Sequence, residues 1–215
     1  VICAGVNSHV ASQELFKLIR DGYLFKPDLV ISYSGVNDFS NHYQDKKNPF
    51  VLCYTKRIIP KVIKHRILNE KDVMHGDRIR IWDNFRGFIV KDYSLGIDAP
   101  KPISRADHWI RCEKMMHSIS QSMDAKFIGI LQPQNFDDAE DSKVKERNPY
   151  YEEAINAIKE LRYDWLLDFT NIFRNKKNIF YDNCHVYGSG NKIIAKNILP
   201  YVVNSIKEKQ NKAKP

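Results

Sequence analysis

Apolar positions along the chain fall into runs and helical stripes that alternate, and the changes of period mark out its elements. Residues 1–6 are mostly apolar, the pattern of a buried strand. Residues 11–20 then read as a helix with Leu15, Leu18 and Ile19 on one face, stopped at Gly22. Residues 28–33 hold Leu29, Val30 and Ile31 in succession, as a central parallel strand covered on both faces would. Polar residues follow at once in 34–38, past the carboxyl end of that strand, where open α/β sheets bind their ligands. Residues 103–123 repeat Trp109, Cys112, Met116, Ile119 and Met123 at spacings of three and four, which predicts a helix with one core-facing stripe. Residues 126–131 form the next parallel strand, ended by Gln132 and Pro133. The stretch 135–147 is polar and charged and reads as a mobile loop. Asn148 then caps a helix with Pro149 at its first position and Ile155, Ile158 and Leu161 facing inward. Residues 165–169 predict a last short strand. A final helix starting near Ser189 or Gly190 turns Ile193, Ile194, Ile198, Val202 and Val203 inward and bends at Pro200.

Strands followed by helices, repeated, predict an α/β sandwich with a mostly parallel sheet. The 215 residues fit one domain, 1–215. Residues 39–102 break the pattern, and 45–102 read as an insertion. Within it, 51–68 suggest a basic helix broken near Pro60, and 78–90 suggest paired strands or an ordered loop. Phe50, Tyr54, Trp82, Phe85, Phe88 and Tyr93 recur there. They give the insertion two readings, a self-packed excursion or a lid-like wall over a cleft.

Composition narrows the function. Apolar residues make up 43% and charged residues 28%, ordinary for a globular domain. No run is long enough to cross a bilayer, and no cleavable leader pattern is visible. A cytoplasmic location is favoured on the visible residues, with the compartment otherwise open. The net charge of +8 comes from lysines spread along the chain, and no nucleic-acid reader motif accompanies it. Nucleic acid is therefore not expected as a partner. Cys3, Cys53, Cys112 and Cys184 have neither a zinc spacing nor that of a disulfide framework. Cys3 and Cys112 read as small buried hydrophobes.

Two segments carry chemistry. His185 lies three residues after Asp182, and a histidine acting as general base needs its second ring nitrogen held by an acceptor. A turn leading into a helix gives the same spacing, so the pair alone has two readings. Asn37 lies in Gly35-Val36-Asn37-Asp38, the loop after the second strand, where its amide can donate to a developing oxyanion. An Asx-turn is the other reading of that segment, and Asp38 either braces the loop or caps a following turn.

With Gly188-Ser189-Gly190-Asn191 downstream of His185, these segments stand in the order found in the SGNH hydrolases, the GDSL-type esterases and lipases, which the chain resembles over most of its length. The resemblance implies a flavodoxin-like three-layer α/β/α sandwich. It makes Asp182 and His185 the acid and base of a triad and Asn37 the oxyanion asparagine. Gly35 and Asp38 become supporting residues. Residues 1–15 resemble the segment carrying the family's oxyanion glycine, but Ser8 stands in its place. A backbone N–H still serves there, without glycine's freedom at positive φ. The family's Gly-Asp-Ser nucleophile block has no counterpart among these residues. The resemblance therefore implies a segment upstream of Val1 that completes the sheet and supplies the serine.

The implied activity is hydrolysis of a small acyl ester, including O-acetyl groups on a carbohydrate, with no metal or organic cofactor. Two alternatives stand beside it: an O-acyltransferase, and a non-catalytic member of the fold that binds a glycan or a protein.

Overall fold

The computed structural model describes residues 1–6, 8–40, 103–138 and 140–212. The expected insertion 45–102, with its helix and paired segments, lies outside the described residues. The chain is a mixed α/β structure in which a small parallel sheet is flanked by helices.

Among the described residues the elements run α1 (Ala11–Phe25), β1 (Leu29–Ser34), α2 (Val36–Phe39), α3 (Arg105–Ser122), β2 (Lys126–Leu131), α4 (Ser142–Leu161), β3 (Leu166–Asp168) and α5 (Gly188–Lys212). The three strands lie in the order β1-β2-β3, all parallel. Leu29 pairs with Lys126 and Ser34 with Leu131, so β1 and β2 end level and their following loops emerge together.

The main core lies on one face of the sheet. It joins Ala11 and Leu15 of α1, Trp109, Cys112 and Met116 of α3, and Tyr151, Ala154 and Ile158 of α4 to Phe127, Leu131 and Leu166. The stripe read on 103–123 is thus the one α3 buries. On the other face Ile128, Ile130 and Phe169 pack with Ile198 and Val202 of α5.

Several expectations are corrected. Residues 1–6 form no strand and are exposed throughout, Cys3 included. A strand exists only through a ladder, and among the described residues nothing pairs with this segment. Among the described residues β1 has β2 as its one neighbour, and Ile31 is 44% exposed where a strand covered on both faces is expected. Helix α1 runs through Gly22 to Phe25, because Gly22 is buried against Met123 and Lys26 supplies the left-handed C-cap at φ 43°. Ile19 faces out.

Helix α4 begins seven residues before Pro149. Asp141 is its N-cap, accepting from the backbone N–H groups of Lys143 and Val144 at 2.7 and 3.3 Å. The stretch read as a mobile loop therefore supplies the first turns of a helix, with Val144 and Arg147 buried. The last helix starts at Gly188 and continues past Pro200, leaving Val203 exposed.

Candidate active site

Two backbone segments at the carboxyl ends of the strands shape the site. The first is the turn after β1. Gly35 has φ 118°, and a Cβ there would lie 2.7 Å from Leu131 Cδ1, so only glycine fits. The four residues of α2 follow. Phe39 is fully buried edge-on against Trp109 and Tyr151, with ring centroids 6.1 and 4.9 Å away. Arg105 Nη1 donates to the Phe39 carbonyl at 2.9 Å.

Asp38, also fully buried, accepts from the Ala11 N–H at 2.9 Å and so satisfies a free amide at the start of α1. Of the two readings of Asp38, the brace between this turn and α1 is what the structure contains. These anchors leave Asn37 at the surface of the cavity, its Nδ2 donating to the His9 carbonyl at 2.9 Å. That bond uses one of two amide hydrogens.

The second segment is the tip of a small hairpin closed by the Phe180–Val186 bridge and the Tyr187 N–H bond to the Ile179 carbonyl. Asp182 Oδ1 accepts from the backbone N–H groups of Cys184 and His185 at 2.8 and 2.7 Å. Its Oδ2 lies 2.7 Å from His185 Nδ1. Tyr181 stacks on the His185 ring, 5.6 Å between centroids and 13° between planes. The Asn135 N–H donates to the Asn183 carbonyl at 3.0 Å, tying the tip to the loop after β2.

Both segments, with Ser8, line one cavity of about 420 Å³, a size typical of small-ligand sites. Gly35, Asn37, Asp182 and His185 meet there; Asp38 stands behind the wall. Ser8 adopts the left-handed conformation at φ 64°, the region glycine favours.

Electrostatics separate the groups. Partial burial of Asp182 works to raise its pKa, but the two backbone N–H groups and the His185 ring outweigh that and hold it down to about 2. Asp182 is thus ionised at neutral pH and favours the Nδ1–H tautomer of His185. Burial, and then the charge of Asp182, push the Cys184 thiol up to about 11. Asp182, Cys184 and His185 form a group whose ligand atoms are close enough for a metal. A metal there would have to displace the proton of the Cys184 thiol and the Asp182–His185 hydrogen bond.

The inner wall carries a polar nest that sequence reasoning missed. Glu113 of α3 is fully buried and accepts from Ser32 Oγ and Ser34 Oγ at 2.8 and 3.0 Å. Trp109 Nε1 donates to Ser34 Oγ at 2.9 Å. Burial drives the Glu113 carboxyl up to about 8 and that of Asp38 up to about 7. Glu14, which lines the cavity, is raised to about 9 by burial and by the charges of Asp38 and Glu113. The signal was the alternation of Ser32 and Ser34 in a strand otherwise apolar. Lys143 and Arg147, also on the cavity, were missed because their stretch was read as loop.

Comparison of the chain with protein-family models, curated proteins and solved structures finds no match. No helix among the described residues is long and apolar enough to cross a membrane.

Proposed function

We propose that this chain carries the base, acid and oxyanion donors of a serine-type ester hydrolase acting on a small acyl ester, O-acetyl groups on a carbohydrate included. The finer architecture proposed with it is the three-layer, flavodoxin-like fold of the SGNH hydrolases. One observation carries the reading: the Asp182–His185 couple, 2.7 Å apart, lines the same cavity as the Asn37 amide and Ser8.

The roles follow from the chemistry. Asp182 orients the ring and steadies the imidazolium. Nε2 of His185, which makes no hydrogen bond among the described residues, takes the nucleophile's proton and returns it to the leaving alcohol. The second N–H of Asn37 and the backbone N–H of Ser8 hold the oxyanion. An acyl-serine forms, and water releases the acid along the same path.

The nucleophile is proposed to come from a segment preceding Val1 that adds a strand beside β1. Two features support this. The outer edge of β1 is unpaired among the described residues, and residues 1–6 form no ladder, with Gly5 and Val6 on the cavity that Tyr33 and Ser34 also line. Ser34 is a poor substitute, because its hydroxyl is buried between Trp109 and Glu113.

A second reading has an observation of its own. Among the described residues no serine hydroxyl is hydrogen-bonded to His185, which favours a binding protein on the same fold. A fluorophosphonate probe separates the two. Labelling of the full-length protein that disappears in His185→Ala, with folding retained, supports the hydrolase. Absence of labelling in wild type favours the binding protein, and labelling unchanged by His185→Ala removes the proposed base. An acyltransferase would label in the same way and would release less acid when a sugar acceptor is added.

A further inference from the structure

Lys143 and Arg147 lie one turn apart on α4, and both line the cavity that holds Asn37 and His185. Lys143 is exposed, whereas Arg147 is only 3% exposed. A buried guanidinium is costly unless its charge is met. Among the described residues the hydrogen-bond partners of Arg147 are uncharged, and the Asp141 carboxylate acts on it without a direct bond. Nε donates to Gln134 Oε1 at 2.8 Å, Nη2 donates to Asn183 Oδ1 at 3.0 Å, and the Cys184 thiol lies beside it.

Those amides are fixed in turn. Gln134 Nε2 donates to Asn148 Oδ1 at 2.7 Å, and Asn183 Nδ2 donates to Asp141 Oδ2 at 3.2 Å. Asp141 thus reaches Arg147 through Asn183, and its other oxygen caps α4. Among the described residues neither Lys143 nor Arg147 makes an ion pair. Among the described residues, these three uncharged neighbours leave at least two of the five guanidinium N–H groups without a partner. The cavity's own acids make no direct pair with Arg147: the Asp182 oxygens are taken by His185 and two backbone N–H groups, and Glu14 keeps its proton at neutral pH. The guanidinium is held in place and left positive, which is how a receptor for an anion is built.

We propose that Lys143 and Arg147 form an anion subsite, and that the ligand of this cavity carries a negatively charged oxyacid group, a carboxylate or a phosphate. Arg147 offers a planar fork and Lys143 a mobile point charge. Asn183, bonded to Arg147, is two residues from His185, so the anion sits within one small molecule's reach of the proposed base. The proposal deepens the esterase reading: the substrate becomes an ester of an acidic sugar or of a sugar phosphate.

Binding measured without turnover keeps the two readings apart. The full chain is titrated calorimetrically with glucuronate, glucose 6-phosphate and glucose, for wild type, Lys143→Gln and Arg147→Lys. At least one anionic sugar should bind about tenfold or more tightly than glucose, and Lys143→Gln should weaken that sugar by about five- to tenfold without altering glucose. If the source is a carboxylate, glucuronate leads and Arg147→Lys, which loses the fork, weakens it most. If it is a phosphate, glucose 6-phosphate leads. Equal binding of all three sugars, no binding of either anion, or anion binding unchanged by Lys143→Gln would overturn the subsite. Lys143→Gln alters an exposed side chain, so the test survives a folding failure of the Arg147 variant. Loss of fluorophosphonate labelling with anion binding intact would sink the hydrolase and leave the subsite standing.

Discussion

At the mouth of the cavity the Asp182 side chain is 41% exposed and its carboxyl is held down to about 2; on the inner wall Glu113 is fully buried and its carboxyl is pushed up to about 8. Both accept good hydrogen bonds, three for Asp182 and two for Glu113. Water makes the difference. Asp182 keeps part of its hydration and adds two backbone N–H donors. Glu113 exchanges all of its hydration for two hydroxyls, and its Oε2 has no partner among the described residues. Two neutral donors do not replace a lost solvent shell. The outer acid therefore stays charged, as a group steadying an imidazolium must. The inner acids, Glu14, Asp38 and Glu113, keep their protons into the neutral range.

The largest effect that tests this contrast is on activity. Asp182→Asn keeps an oxygen for the two backbone N–H groups, so the turn survives, but it points an amide donor at His185 Nδ1 and reverses the tautomer. The reading expects kcat for an acetyl ester to fall by about 10³–10⁴ with little change in thermal midpoint. A variant within threefold of wild type would show that the outer acid's charge does no chemistry. Asn37→Ala should cost about 10²–10³ in kcat, with a smaller change in KM, if its amide serves the oxyanion.

The inner acids are tested through stability. Their folded pKa values are raised, so their contribution is complete below pH 4 and is lost as pH rises through about 7 to 9. Asp182 behaves in the opposite sense, contributing above pH 4 and losing its contribution as pH falls toward about 2. The unfolding free energy should therefore decline from pH 6 to pH 9, and Glu113→Gln should remove about 2 kcal/mol of that decline. A pH profile unchanged by Glu113→Gln would mean that Glu113 is ionised in the core. Gly129→Ala adds a smaller, steric test. Its Cβ would lie 2.6 Å from Glu113 Oε2 and 3.0 Å from Leu166 Cδ1. It should cost about 1–3 kcal/mol by denaturant unfolding, and Glu113→Asp, which shortens the arm, should relieve part of it.

The same contrast explains what the sequence revealed. Periodicity identified α3 and β2, because burial of Trp109, Cys112 and Met116 writes a three-and-four spacing into any chain that makes it. The convergence of Asn37 and His185 was legible because strand ends are where α/β loops meet. The inner nest was not. Glu113 looks like one more helix surface residue until α3 is laid on the sheet, and only then do Ser32 and Ser34 come within reach. Pro149 reads as a first-turn proline and so sets the start of α4 too late, whereas Asp141 caps the helix two turns earlier. That error hid Arg147, which only a helix through 142–161 carries into the cavity. Residues 1–6 were read as a strand from composition, but a strand also needs a neighbour, and one segment's sequence carries no record of that.

The smallest effect concerns Cys184, the residue just before the base. The Cys184 sulfur lies 3.6 Å from His185 Nδ1, close enough to invite a thiolate–imidazolium reading. The surroundings oppose it. Nδ1 is already bonded to Asp182, and burial together with the Asp182 charge drives the thiol up to about 11, so it stays protonated at working pH. A thiol in that state is a poor nucleophile. Cys184→Ser should then leave acetyl-ester hydrolysis within about twofold of wild type and stability within about 0.5 kcal/mol. At pH 8, peptide mass spectrometry after iodoacetamide treatment should show Cys184 alkylated at least about tenfold more slowly than the exposed Cys3. Faster alkylation of Cys184 than of Cys3, with activity lost in step, would transfer the nucleophile's role to the thiol and erase the difference between a charged acid at the mouth and neutral groups behind it.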